Sequence, residues 1–274
     1  MHEVERQRLI NSTLDEKIDQ SKKIIREVFS KFSDDPLYVA WTGGKDSTTL
    51  LWLFRQTCKD LGKPLPRAMF IDEGHVFEEI LELVDRVKMK WNVAVEVVKN
   101  RDVSEKAKKV GDAIRVSDLN DRNRFEIDKL GFTEDTFPFE PESLVGNHLM
   151  KTVAMNLFLE DKGVKGLATA IRWDEQDARI GEEYFSPREN PDHTRVHPIL
   201  HFTERDIWNT IHTYDIPFCS LYYQGYRSLG AKGSTVKNSD IPAWEQDLEN
   251  TTERAGRGQD KEEIMEKLRS LGYM

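Results

Sequence analysis

Tyr38-Val39-Ala40-Trp41-Thr42-Gly43-Gly44-Lys45-Asp46-Ser47-Thr48-Thr49-Leu50-Leu51 decides how this chain is read. An apolar run of strand length ends in a small-residue turn. Apolar residues at helical spacing (Leu50, Leu51, Leu53, Phe54) restart directly behind it, so the stretch predicts strand, loop and helix. Such a junction suits an anion. Adjacent glycines let the backbone approach closely, the free N–H groups of the first helical turn point outward, and Lys45 adds a full positive charge. It is not a Walker A loop, because no earlier glycine stands at the required spacing. Gly-Gly alone is commonly a plain tight turn; Gly43-Gly44-Lys45-Asp46-Ser47 at a strand-helix junction points to a nucleotide.

Working outward, residues 13–32 carry Leu14, Ile18, Ile25, Val28, Phe29 and Phe32 at helical spacing, and Pro36 ends that helix. Residues 67–71 predict a second strand closing on Asp72-Glu73-Gly74-His75. A helix follows over 76–91 and a strand over 93–98. Carboxylates at a strand's C-terminal end lie where open α/β sheets bind ligands. The alternation predicts an α/β fold, a doubly wound, mostly parallel sheet with helices on both faces. Residues 101–141 break the rhythm with mixed charge and little periodicity, and are open to reading as a surface insertion, a substrate lid or a partly helical subdomain. A helix over 144–159 and a buried strand over 166–171 come next. They lead into Arg172-Trp173-Asp174-Glu175-Gln176-Asp177-Ala178-Arg179, either a solvated charged turn or a phosphate and metal site. A strand over 195–200 precedes a helix capped by Thr203 with Asp206 three residues on. Gly225-Tyr226-Arg227-Ser228-Leu229-Gly230-Ala231-Lys232-Gly233-Ser234-Thr235 is a second anion loop or a flexible turn, and a helix over 261–271 ends the chain. Domain boundaries fall at 1–35 (helical), 36–215 (nucleotide-binding) and 216–274 (an irregular extension closing over the site).

The 274 residues carry a formal charge of −9, which argues against general nucleic-acid binding. Two cysteines, Cys58 and Cys219, make neither a disulfide framework nor a cysteine cluster, consistent with the cytoplasm. No apolar run reaches bilayer length, so no membrane is expected. His193, His197, His201 and His212 resemble a metal set on paper, but Pro198 keeps the first three off one helix, and neither zinc nor an iron–sulfur cluster is expected.

Thr42-Gly43-Gly44-Lys45-Asp46-Ser47 closely resembles the Ser-Gly-Gly-Lys-Asp-Ser signature of the PP-loop ATP pyrophosphatases, specifically the phosphoadenosine phosphosulfate reductase family. The likeness extends through Asp72, Arg172, the helix start at 203–208 and the 225–235 loop. The reductases attack sulfur with a tail cysteine, whereas residues 220–274 contain none and Ala231 stands where related sequences often carry one. Residues 172–179, Arg227-Ser228-Leu229-Gly230 and Thr251-Thr252-Glu253-Arg254 through Arg257 resemble the sulfate adenylyltransferase small subunit, although its loop usually lacks the first glycine. Tyr222, Gly225-Tyr226, Thr235 and Asn238 give partial likeness to flavin adenylyltransferases. The resemblance implies adenylyl transfer from ATP, with Mg²⁺, to a small oxyanion such as sulfate. It assigns Gly43, Gly44, Lys45 and Ser47 to the outer phosphates, Thr42 to the usual serine's hydroxyl, and Asp46 to the loop or Mg²⁺. Arg172 and Arg179 are assigned to the acceptor or α-phosphate, Asp72 to the ribose or metal, and Arg227, Lys232, Arg254 and Arg257 to closure. It also implies a GTPase partner subunit, leaves a homodimer open, and has as alternatives a reductase using an external thiol, a flavin adenylyltransferase or a non-catalytic adenine-nucleotide-binding module.

Overall fold

A computed structural model describes residues 3–176, 179–233 and 235–256. Two N-terminal helices, α1 (Glu3–Ile10) and α2 (Leu14–Lys31), precede the sheet. A capping box starts α2, in which the Thr13 hydroxyl accepts from Glu16 N–H and the Glu16 carboxylate accepts from Thr13 N–H. The residues expected to build a buried face do so, with Ile18, Ile24, Ile25 and Val28 buried. The short, polar α1 has no such stripe, which is why periodicity does not reveal it.

The chain then runs through β1 (Leu37–Ala40), α3 (Lys45–Leu61), β2 (Arg67–Ile71), α4 (Glu78–Trp91) and β3 (Val95–Val98). Next come α5 (Arg101–Ser104), β4 (Ala113–Arg115), α6 (Asp121–Lys129), β5 (Thr136–Pro138), α7 (Leu144–Asn147) and α8 (Ala154–Lys162), the last two joined by a wider helical turn over His148–Val153. β6 (Gly166–Ala168), β7 (Phe185–Glu189), β8 (Asp192–Val196) and α9 (Glu204–Thr213) complete the frame. The main sheet has the order β3-β2-β1-β6-β8-β7 and is parallel except for β7, which pairs antiparallel with β8.

Alternation along each strand sorts the two faces. Val39, Ala68, Phe70, Ala168 and Val196 join one core with residues of α2, α3, α4 and α9, among them Ile25, Leu50, Val84 and Trp208. Tyr38, Met69, Val98 and Leu167 join the other with Ala154 and Leu159 of α8. Helices on both faces of a mostly parallel sheet are therefore present as the sequence implies.

Three strand limits differ from the sequence reading. The third strand starts at Val95, and β6 stops at Ala168 because Thr169 to Ile171 turn to line a cleft. The expected strand over 195–200 is instead β8, ending before Pro198, and it is the second arm of a hairpin whose first arm, Phe-Ser-Pro-Arg-Glu, lacks apolar alternation. The 101–141 segment is the partly helical subdomain. β4 and β5 pair antiparallel, and Val103, Ile114, Ile127, Phe137 and Phe139 form a separate core completed by Leu149 and Val153. The helix expected over 261–271 lies outside the described residues. No helix among the described residues is long and apolar enough to cross a membrane.

The four histidines hold structural positions. His193 Nδ1 is 2.7 Å from the Pro191 carbonyl, His197 Nδ1 is 2.7 Å from Thr169 Oγ1, and His212 stacks on Trp208. His201 Nε2 donates to the Lys17 carbonyl at 2.9 Å and its Nδ1 meets the Tyr184 hydroxyl at 2.9 Å, which ties β8's exit to α2.

The turn from β1 to α3 depends on Gly43, whose φ of +75° lies in the left-handed region and whose place for a Cβ is 2.7 Å from Ile80 Cγ2. Gly43→Ala therefore lowers unfolding free energy by about 1–3 kcal/mol in urea titrations; an unchanged midpoint would remove this constraint. Acid sensitivity has a second source. Burial lowers the pKa of His201 from 6.5 to about 4. The unfolded chain takes up that proton before the folded one does, so stability is complete above pH 6.5 and falls as pH drops towards 4, by up to roughly 1.4 kcal/mol per pH unit. His201→Gln flattens the slope of urea-derived stability between pH 6.5 and 4, and an unaltered slope assigns the loss to other groups.

Candidate active site

Strand β1 delivers Thr42 to Ser47 at its carboxyl end. The Thr42 N–H donates to Ser47 Oγ at 3.2 Å and the two hydroxyls are 3.1 Å apart. Ser47 and Thr48 hydroxyls donate to the Gly44 carbonyl at 3.1 and 2.9 Å, and Trp41 Nε1 donates to Thr48 Oγ1 at 3.0 Å. These bonds hold the loop in shape. Gly44, the N-cap of α3, has no side chain to close the helix end, and the N–H of Lys45 donates to the Tyr222 hydroxyl at 2.9 Å.

A cleft of about 380 Å³ opens above this helix start. Thr42, Gly44, Lys45, Asp46 and Ser47 form one wall; Phe70, Ile71 and Glu73, from the end of β2, form a second. Thr169, Ala170 and Ile171 face them from beyond β6, followed by Glu175 and Arg179. Ser228 to Gly230, Tyr222 and Glu253 close the side formed by the C-terminal extension. Lys151 also lines the cleft and pairs with Glu73 at 2.6 Å and with Glu142 at 3.3 Å.

Under the cleft lies a buried ion network. The Lys45 ammonium is 1% exposed and sits 2.6 Å from Glu253, 3.1 Å from the Arg227 carbonyl, 3.4 Å from Asp46 and 3.7 Å from Glu204. Arg172, fully buried, donates to Asp46, to Glu253 and, at 2.8 Å, to Asp174. Asp174 in turn accepts from the Glu204 N–H at 2.8 Å, at the start of α9. Arg227 binds Glu204 at 2.8 Å and the Leu248 and Thr251 carbonyls at 3.1 Å each. Burial alone would raise the Glu253 pKa, but Arg172 and Lys45 outweigh it and hold the carboxylate well below its usual range. Glu204 goes the other way, pushed up by burial and by Glu253.

The structure thus sorts the residues the sequence singled out. Thr42, Gly44, Lys45, Asp46, Ser47 and Arg179 line the cleft, and Gly43 makes its turn. Arg179 pairs with Glu175 at 2.6 Å, and Arg254 joins the same carboxylate at 2.8 Å. Arg172 and Arg227 are buried supports whose guanidinium groups are occupied by carboxylates and carbonyls. Asp72 turns away from the cleft, accepting from Gly74 N–H at 2.8 Å and pairing with Lys99 at 3.1 Å, while its neighbour Glu73 faces in. Lys232 pairs with exposed Glu78 at 2.6 Å, and its N–H donates to the His75 carbonyl, anchoring the 225–235 loop to the end of β2. Arg257 lies outside the described residues. Glu253, Glu204, Tyr222 and Glu73 were given no role from sequence. Their local signals are Glu253 within Thr251-Thr252-Glu253-Arg254, Glu204 directly behind the cap Thr203, Glu73 at the strand end and Tyr222 in the likeness to flavin adenylyltransferases.

Both thiols are packed away. Burial raises each to about 11, and neither Cys58 nor Cys219 lines the cleft. Among the described residues no three His, Cys, Asp or Glu side chains are grouped to hold a metal ion.

Relatives support a common origin for this arrangement. The chain is 26% identical over 229 residues to "Sulfate adenylyltransferase subunit 2" of Rhizobium meliloti, spanning 75% of this chain and 66% of that protein. It is 23% identical over 225 residues to a Caenorhabditis briggsae protein described as a probable FAD synthase, covering 81% of this chain but 34% of the relative. The fold resembles Candida glabrata FMN adenylyltransferase, solved with FMN and an ATP analogue, at a TM-score of 0.64 and 17% identity over 92% of this chain and 96% of that one. It also resembles Candida auris phosphoadenylyl-sulfate reductase, with a TM-score of 0.56 and 19% identity over 79% and 90% of the two chains. The model of the phosphoadenosine phosphosulfate reductase domain matches residues 36–237, which take in the loop, the sheet and the second glycine loop. With that match running through most of its length, the chain belongs to the phosphoadenosine phosphosulfate reductase domain family.

Proposed function

We propose that this protein is an ATP-dependent adenylyltransferase whose acceptor is a small oxyanion, with sulfate the leading candidate. The observation that carries the reading is the content of the cleft: an open helix start with hydroxyl and N–H donors, a guanidinium opposite, and no thiol, both cysteines being buried elsewhere. Relatives named as sulfate adenylyltransferase subunit and FAD synthase support transfer to an acceptor rather than reduction.

In this reading an acceptor oxygen forms a bond to the α-phosphorus of ATP, the bond to the α–β bridging oxygen breaks, and pyrophosphate leaves with the electron pair. A sulfate acceptor carries no proton to remove, so the residues supply charge stabilisation and alignment rather than a base. Thr42, Gly44 and Ser47 offer donors to the leaving phosphates, and Arg179 offers a planar fork to the reacting centre. Mg²⁺ would neutralise phosphate charge when bound. Asp46 is the loop carboxylate nearest to that role, but it is already bonded to Arg172, so the ion fits as one carried by the phosphates and water rather than held in a protein cage. Adenylyl transfer to sulfate is uphill, and the subunit name of the relatives supports a partner that drives it, a GTPase by family resemblance.

Pyrophosphate release from ATP on adding sulfate, selenate, molybdate or flavin mononucleotide tests the reading. Sulfate or its analogues are expected to accelerate it, product from flavin mononucleotide alone would retain adenylyl transfer but reject the small acceptor, and no release with any of them rejects the enzyme. Glu253→Ala removes the shared counter-ion of Lys45 and Arg172, so unfolding free energy falls by about 3–5 kcal/mol and the KM for ATP rises. If urea midpoint and KM both stay at the wild-type values, the network is not what holds the loop.

A further inference from the structure

The hairpin beside the cleft carries a cation, Arg195, whose side chain has no ion-pair partner among the described residues. Register pairs Ser186 with Arg195 and Arg188 with His193, so Arg188, His193 and Arg195 share one face, with the two arginines diagonal neighbours. The opposite face is fixed by Val196, which enters the main core, and Arg195 lies across from Leu167 on the other side of the sheet. His197, next in the same alternation, meets the cleft residue Thr169 through Nδ1 at 2.7 Å. Glu182, 3.6 Å from Nε2, favours the tautomer with the proton on Nε2, in which the Thr169 hydroxyl donates to Nδ1.

Among the described residues, the buried nitrogens Arg188 Nε, Arg195 Nε and His197 Nε2 have no hydrogen-bond acceptor. Glu182 is the nearby carboxylate, but it bonds Arg188 through Nη2 at 3.1 Å and stands 3.6 Å from His197 Nε2. Among the described residues the Arg195 side chain forms neither a hydrogen bond nor an ion pair. Burial first, then Arg188 and Arg179, depress its pKa to about 10, with Glu182 opposing them. Arg179, lining the cleft, shares its one carboxylate partner, Glu175, with Arg254. Arg172, by contrast, is fully buried and its charge is balanced by three carboxylates.

Buried donors without an acceptor are costly and call for an explanation, and here one belongs to the half-buried Arg195 and one to the fully buried His197. We propose that Arg195, with Arg188, Arg179 and the Nε2–H of His197, forms the acceptor-anion subsite next to the nucleotide cleft, and that it takes a tetrahedral oxyanion. This rests on the adenylyl-transfer reading and names the acceptor half of the site, to which that reading brings Arg179 alone. The shared chemistry admits two sources, a free inorganic oxyanion such as sulfate or the phosphomonoester end of a larger acceptor.

The test separates the two halves. Calorimetric titration with a non-hydrolysable ATP analogue measures the nucleotide site; titration with sodium sulfate, and in parallel with flavin mononucleotide, measures the subsite in the analogue-saturated protein. For Arg195→Gln the expected result is analogue affinity equal to wild type and oxyanion affinity weaker by about tenfold or more. Arg188→Gln moves in the same direction, and Arg195→Lys, which keeps charge but loses the fork, falls between. Thermal stability without anion should be unchanged or higher in Arg195→Gln, because the variant loses only a charge without an ion-pair partner, while the rise in Tm that sulfate gives the wild type should vanish. Dependence on Arg195 for sulfate identifies a free oxyanion, and for flavin mononucleotide alone a phosphomonoester; either supports the subsite. Oxyanion binding unaffected by Arg195→Gln, analogue binding lost together with it, or wild-type protein that binds the analogue but neither anion would each overturn the proposal. Failure of the wild type to bind the analogue would count against the nucleotide reading instead.

Discussion

The carboxylate of Glu253 lies between Lys45 and Arg172, and the site depends on that contact. One oxygen is 2.6 Å from the ammonium and the other accepts from the guanidinium. Taking three charges out of water is expensive, and their mutual attraction repays the cost only when all are present and bonded. Here the bonding is thorough. Asp46 and Asp174 take the rest of Arg172, Glu204 links to Arg227, and Arg227 reaches the carbonyls of Leu248 and Thr251. The network therefore welds the start of α3, the turn after β6, the start of α9 and the C-terminal extension into one support for the cleft floor.

The sheet order brings those segments together. From β1 the chain moves outward to β2 and β3, while β6, β8 and β7 extend the sheet on the other side. Neighbouring strands whose connections diverge leave a crevice at their carboxyl ends, the place where open α/β sheets bind ligands. Here β1 and β6 are those neighbours, so Thr42 to Ser47 and Thr169 to Ile171 face each other across the gap. The extension then closes the remaining side through Tyr222, whose hydroxyl accepts from the first N–H of α3.

Local signals made much of this legible in the sequence. The β1–α3 junction, the stripe of α2 and the Thr203 and Asp206 cap depend on residues a few positions apart, and a reader of the chain sees them together. Glu253 is 208 residues from Lys45 and 81 from Arg172, so no pattern along the chain announces their contact. Asp72 and Glu73 show a different limit. Either carboxylate fits a strand end, but successive side chains alternate in direction, and the exit of β2 decides that Glu73 faces the cleft. The β7–β8 hairpin escaped detection because its first arm is short, charged and interrupted by Pro187.

The inward course of Lys45 changes how the loop attracts an anion. Its side chain is spent on Glu253, Asp46 and Glu204, so the charge that sequence pattern offers to a phosphate is already neutralised inside the protein. What the loop presents to the cleft is the helix end itself and the hydroxyls of Thr42 and Ser47, donors fixed by their own bonds. Such donors need no rearrangement when an anion arrives and carry no counter-ion to displace. Cationic charge must then come from the opposite side, where Arg179 lines the wall and shares Glu175 with Arg254, and where Arg195, behind that wall, has no ion-pair partner among the described residues, so in a chain of net charge −9 the attraction for an anion is assembled locally, away from the loop.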